Sequence, residues 1–311
     1  MNSTSSPAPE VFDETVEVHE PAWDAALPEP TVWRWLRTVG WKHFLALIII
    51  AIASFPLLYV LSTALNPNPT LAGSNQLFSD FTGDNFVALN KTYYWKWVTN
   101  SLVVSTATAI GTVFMAACAA YALSRFRFRG RRPTLTFLLL VQMFPQMLAF
   151  VAIFLLLHSL AEVFPVLGTD SLIALICVYL GGALGSNTFL MYGFFNTIPR
   201  ELDEAAMIDG ASHSRIFFTI ILRMVTPMLA VVGLLSFVSS LGEFIIAKLV
   251  LQSESQWTLA VGMYVWGSDQ RTAPWGMFAA GAVVAAVPVI LLFMYLQRYI
   301  VSGLTAGAVK G

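Results

Sequence analysis

Charge is scarce in this sequence. Only 11% of its 311 residues are Asp, Glu, Lys or Arg, whereas 57% are hydrophobic. A soluble domain carries about 25% charged residues, so the composition excludes an ordinary soluble globule and indicates an integral membrane protein. A net charge of −1 offers no basic footprint for nucleic acid. Cysteine is nearly missing: Cys118 and Cys177 sit singly in separate apolar runs. That is neither a disulfide framework nor a zinc site, and packing is the expected role. There is no His-Glu-x-x-His zinc motif, no Gly-x-Ser-x-Gly elbow and no Gly-x-x-x-x-Gly-Lys phosphate loop. A membrane enzyme is therefore disfavoured, and any ATP-driven role needs an ATPase on another chain. Intramembrane coupling charges and internal repeats are missing as well, which disfavours a self-contained channel or secondary transporter.

Basic residues are absent from positions 1–30, which hold seven acidic residues and five prolines. This composition predicts a disordered acidic tail over 1–33. It lacks the basic region and short apolar core of a signal peptide. The domain proper is expected over 34–311.

What the sequence has in abundance is long apolar windows. A membrane helix needs about 20 apolar residues. Windows at 44–65, 97–124, 133–161, 171–199, 224–242 and 272–297 meet this requirement. Six spans place both termini on one side. With the termini inside, 13 of the 17 Lys and Arg residues fall on inner segments, five of them between 124 and 132. The positive-inside rule then makes the termini and the loop around Glu204 cytoplasmic. The Arg cluster serves as a topology anchor or contacts lipid head groups or a partner.

That loop is a polar island. After Pro199, residues 200–209 contain good helix formers, with Leu202, Ala205 and Ala206 at one helical face and Glu201 and Glu204 on another. Gly210 is placed to stop the helix. Ser212 can cap the next one, whose apolar stripe is Phe217, Ile220, Ile221 and Met224. Small residues at 205, 206, 210 and 211 allow close approach of another protein, and neighbouring carboxylates suit its Arg or Lys. An amphipathic helix on the lipid surface is the alternative, opposed by acidic Glu201, Asp203, Glu204 and Asp209.

Glu204-Ala205-Ala206, followed by Asp209-Gly210-Ala211, Phe217 and Ile220, resembles the EAA signature of permease subunits in binding-protein-dependent ABC importers. The blocks Thr258–Met263 and Trp275–Ala280, Gln297-Arg298-Tyr299 and the tail 303–311 resemble MalG-type carbohydrate permeases of maltose uptake systems. Similarity runs from about Arg34 to the end. The resemblance implies an all-α integral membrane protein with the six-helix, MetI-like fold and a cytoplasmic coupling helix-turn-helix. It implies a multi-pass protein of the bacterial inner membrane that forms half of a sugar pathway and catalyses nothing itself. Implied partners are a second permease subunit, two copies of an ABC ATPase holding ATP and Mg²⁺, an extracytoplasmic sugar-binding protein and membrane lipid. Glu204, Ala205, Ala206, Asp209, Gly210 and Ala211 would contact the ATPase. Gly267, Ser268, Asp269, Gln270 and Arg271 would form a loop entering the binding protein; from the residues alone a solvated connector is equally open. The solute is expected to be a maltose-like oligosaccharide, with another oligosaccharide, trehalose or a glycerol-phosphate ester as alternatives. One departure stands out: the family usually has proline after its Ile-x-Leu, where this chain has Arg223. The kink is expected to weaken or to move to Pro227.

Glu243 lies about 26 Å along a helix from Thr226, near the outer interface of a core about 30 Å thick. It is expected either as an interfacial structural residue or as part of an outer gate. Gly181, Gly182 and Gly185 predict close helix approach. Trp95, Trp97, Trp257, Trp266 and Trp275 are expected in an interfacial aromatic belt.

Overall fold

The computed structural model describes residues 36–67, 78, 80–143, 146–268 and 273–308. The acidic tail predicted over 1–33 lies outside the described residues. Every regular element among the described residues is helical. Residues up to Phe55 form one unit and those from Pro56 a second.

Helix α1, Trp41–Leu65, crosses that division and contains Pro56. Proline removes one helical N–H donor. In the first unit α1 exposes Phe44, Leu47, Ile48 and Ile52, apolar side chains that suit a lipid solvent.

The second unit is built on α3 (Tyr94–Arg125), preceded by the short α2 (Asp84–Leu89). Next come α4 (Arg131–Met143), α5 (Phe150–Val163) and α6 (Leu172–Phe195). Then follow α7 (Glu201–Ile208), α8 (His213–Met224) and α9 (Thr226–Gly242). The chain closes with α10 (Ile245–Val250), α11 (Leu259–Ser268) and α12 (Trp275–Ala308).

Helix α3 is the axis. It packs along α6 and α9, and α12 covers α9. Small residues make this contact close: Ala109, Thr112, Ala116 and Ala120 are buried, and a Cβ on Gly111 would lie 2.7 Å from Leu180 Cδ2. Steric fit of small residues is the usual basis of helix association in lipid, where apolar burial alone gives little drive. Gly185 behaves similarly, because a Cβ there would sit 3.2 Å from Gln142 Nε2 of α4.

Among the described residues four helices are long and apolar enough to cross a membrane: 38–65, α3, α6 and Trp275–Tyr299 of α12. The bent pair α8 and α9 makes a fifth if counted as one span. The window 133–161 is not one helix. It holds α4 and α5, each shorter than a spanning helix, with a 3₁₀ turn at Gln146–Ala149 between them. Pro145 falls in that interval and cannot donate the bond that would continue α4.

The kink expected to weaken at Arg223 or to move to Pro227 is a sharp one displaced towards Pro227: α8 and α9 meet at 78° at Val225, two residues before that proline. Pro227 lies in the first turn of α9, so the carbonyl of Arg223 loses its helical donor. The Thr226 hydroxyl donates to that carbonyl at 2.9 Å and to the Leu222 carbonyl at 3.1 Å. A neighbouring hydroxyl thus satisfies the groups the proline frees.

Candidate functional site

The polar island is a helical hairpin at the C-terminal end of α3. Its first helix, α7, ends at Gly210, which has φ +81°. The Gly210 N–H donates to Met207 O and the Ala211 N–H to Ala206 O, the paired bonds of a Schellman stop. Ser212 then caps α8 by accepting from the Arg215 N–H at 3.3 Å. The apolar side of α8 is buried. Ile216, Phe217 and Ile221 pack with Tyr121 of α3 and Phe195 of α6, each burial contributing about 1.5–3 kcal/mol relative to exposure.

Helix α7 does not bury the face its apolar pattern suggests. Leu202 and Ala205 are exposed, and Asp203 is buried with Ala206. The reason is a charge from elsewhere. Arg125, the last residue of α3, places Nε 2.7 Å from Asp203 Oδ2, with both side chains at least nine-tenths buried. This is a charge contact rather than an aligned hydrogen bond, since neither Arg125 Nε nor the Asp203 oxygens have a hydrogen-bonded partner. The Arg125 terminal nitrogens donate instead to Ile198 O at 3.2 and 3.3 Å. Arg200 returns a bond from the hairpin to Ser124 O at 2.7 Å. Burial pushes the Asp203 carboxyl above its ordinary range despite the opposing pull of Arg125 and Arg200. Desolvation exceeds attraction here, as is common for buried ion pairs. The pair therefore fixes the position of α7 more than it stabilises the fold.

With Asp203 and Ala206 inside, the outer surface of α7 carries Glu201, Glu204, Ala205 and Ile208, one helical stripe at i, i+3, i+4 and i+7. Ile208 is 87% exposed. Asp209 and Gly210 are exposed at the tip, and Ala211 is half-buried. Five of the six island residues named from sequence, all but Ala206, thus lie at least partly on the open side. Sequence reasoning missed the Arg125–Asp203 contact, which joins positions far apart in the chain, and it missed Ile208.

At the other end of α3 an aromatic cluster takes the place of an ion pair. Trp97 is buried against Trp257 and Trp266, with ring centroids 5.9 and 5.0 Å away. Its Nε1–H donates to Glu254 O at 2.8 Å. Asn100 donates to Ser255 O and Trp257 O, both at 3.0 Å. Trp97 is therefore a core residue and not part of the belt expected of it, whereas Trp257 and Trp266 are half-buried and Trp95 is exposed. Nearby, Asp170 accepts from the Gln252 and Ser253 N–H groups at 2.9 Å and from the Ser253 hydroxyl. Partial burial raises this carboxyl, but the bonds from Ser253 and Gln252 outweigh it and hold the pKa below the ordinary range.

Glu243 follows α9 directly. Its Oε2 accepts from Tyr179 OH at 2.6 Å, and its carboxylate caps α10 by accepting from the Ile246 and Ala247 N–H groups at 2.9 and 3.1 Å. It also lines a chamber between α6 and α9. Gly267 and Ser268 close α11, with the Ser268 hydroxyl donating to Val265 O. Asp269, Gln270 and Arg271 lie outside the described residues.

A bundle of apolar helices with an anchored polar hairpin at one end defines a multi-pass membrane protein of the importer-permease type. The family model for the binding-protein-dependent transport system inner membrane component matches residues 111–306, and the chain belongs to this family. It is 40% identical to the maltodextrin transport system permease protein MdxG of Bacillus subtilis (strain 168), covering 89% of this chain and 98% of that one. It is 38% identical to the galactooligosaccharides transport system permease protein GanQ of the same strain, over 92% and 100%. Among solved structures, a bacterial ABC transporter involved in import of the acidic polysaccharide alginate shares the fold, with TM-score 0.70, 22% identity and 86% and 98% coverage.

Proposed function

We propose that this chain is the permease subunit of an ATP-driven importer of oligosaccharides of the maltodextrin type, with α7 as the dock for a separate ATPase. The observation that carries this reading is a near full-length likeness to a maltodextrin permease in a chain whose α7 stands anchored at its root and open on its outer face. Docking needs both properties. An unanchored helix would yield when pushed, and a covered one would offer no contact. Glu204 supplies a charge for a partner's Arg or Lys, Ala205 permits close approach, and Ile208 offers an apolar anchor.

In this reading ATP and Mg²⁺ bind to two copies of the ATPase, and this chain holds no cofactor. ATP binding draws the docked hairpins together, and the rigid Arg125–Asp203 root passes that movement to α3. A second permease subunit completes the pathway, and an extracytoplasmic binding protein delivers the sugar. Both termini and the hairpin lie on the cytoplasmic side of the inner membrane, and the loop Gly267–Arg271 faces the binding protein.

The test is uptake of labelled maltotriose by cells lacking the chain and by the same cells complemented with it. Restored, ATP-dependent uptake is the expected result. Complementation that restores neither maltooligosaccharide nor galactooligosaccharide uptake would reject the sugar assignment.

A further inference from the structure

Two helical stripes face each other across the chamber that Glu243 lines. Helix α9 contributes Ser236, Ser239 and Ser240, spaced i, i+3 and i+4, and Glu243 follows at its end. Helix α6 contributes Tyr179, Gly182 and Ser186, spaced i, i+3 and i+7, with Asn187 beside them. Such spacing puts each set on one side of its helix. The chamber measures about 310 Å³, at the lower end of small-molecule sites, which start at about 300 Å³.

Hydroxyl and amide groups are costly in the interior of a membrane protein unless something satisfies them. One here lacks a partner. The Ser236 side chain is more than nine-tenths buried, and its Oγ makes no hydrogen bond with any described residue. The chamber wall has one carboxylate and no cation. That carboxylate is held by Tyr179 and the α10 N–H groups, so it keeps a fixed direction as an acceptor. Uncharged donors and acceptors around one fixed carboxylate suit a neutral polyhydroxyl ligand. The same wall repels anionic solutes such as phosphate esters and sugar carboxylates.

We propose that this chamber is a contact site on this chain for hydroxyl groups of the passing oligosaccharide, one to two sugar rings in extent. The inference rests on the importer reading and adds to it a location and a charge preference: neutral sugars are favoured over acidic ones. The hydroxyls of Ser236 and Ser239 and the amide of Asn187 exchange bonds with the sugar as it moves, and Glu243 accepts from a sugar hydroxyl.

The experiment uses the full complex in proteoliposomes, with the native cysteines replaced (Cys118→Ala, Cys177→Ala) and Ser239→Cys introduced. A small methanethiosulfonate reagent reports access to position 239, with and without maltotriose, binding protein and ATP. Labelling slowed about fivefold or more during turnover supports the site. In parallel, a Ser236→Ala/Ser239→Ala double variant is expected to lose about fivefold to tenfold in maltotriose transport, the scale of one or two neutral hydrogen bonds, while binding-protein affinity and membrane insertion hold. Three outcomes overturn the site: labelling indifferent to sugar, no labelling in either condition because a partner helix fills the chamber, or full transport by the double variant. Wild-type proteoliposomes run alongside separate the two failures. If they import maltotriose, only the chamber is rejected; if they import no oligosaccharide, the importer reading falls with it.

Discussion

The two ends of α3 solve the same problem with opposite chemistry. At the hairpin end a buried Arg125–Asp203 pair fixes α7, and the aspartate carboxyl is raised by burial. At the other end Asp170 sits half-buried, takes three hydrogen bonds from Gln252 and Ser253 and is lowered, beside a tryptophan cluster. Hydrogen bonds keep a carboxylate comfortably charged; a buried partner charge with no aligned bond does not. The first arrangement is costly but rigid and specific, which suits an element that receives force. The second is stabilising, which suits a closed end.

The sharpest way to break the comparison is Arg125→Ala. It leaves Asp203 buried without compensation and removes the bonds to Ile198, so a loss of about 3–5 kcal/mol is expected. Thermal unfolding of detergent-solubilised protein would measure it. An Arg125→Met/Asp203→Leu double variant should recover most of that stability while failing in transport. Trp97→Ala at the opposite end should cost nearly as much, about 3–5 kcal/mol, because the ring fills the space against Gly262, where a Cβ would lie 2.1 Å from Trp97 Cε3. Unlike the charge loss, no paired substitution at another position should restore it.

Acidity separates the two carboxylates by sign. Asp203 is raised in the fold, so the native state holds the proton more tightly, and the stability it contributes is lost as pH rises from the ordinary aspartate range through its raised value. Asp170 is lowered, so its contribution is present above the ordinary range and is lost as pH falls through the depressed value. Asp203→Asn should flatten the first limb and Asp170→Asn the second, read as unfolding midpoint against pH. The same slope in both variants would refute the contrast. Gly210→Ala should have the smallest effect. Its Cβ meets open space, so only the backbone cost of about 1–2 kcal/mol at positive φ remains, visible as increased amide exchange confined to α7.

Much of the hairpin was legible in the sequence because its signals are local. Gly210 and Ser212 act within a few residues, and the structure shows both in their roles. Long apolar windows likewise marked α1, α3, α6 and α12. Three features escaped for physical reasons. The Arg125–Asp203 contact joins residues that only the packing of α3 on α6 brings together. Trp97 at a helix end has the same local pattern whether it faces lipid or core. The serine stripe of α9 was present at helical spacing, but serine is uncharged and does not interrupt an apolar window, so it was read as plain span.

The most direct measurement concerns the outer face of α7. Wild type, Glu204→Lys and Ile208→Asp would each be purified with the second permease and the ATPase, and sugar-stimulated ATP hydrolysis and ATPase retention compared. Both variants should insert and keep the Arg125–Asp203 root, yet lose at least tenfold of retained or stimulated ATPase. Wild-type levels of both in the two variants would contradict α7 as the docking element.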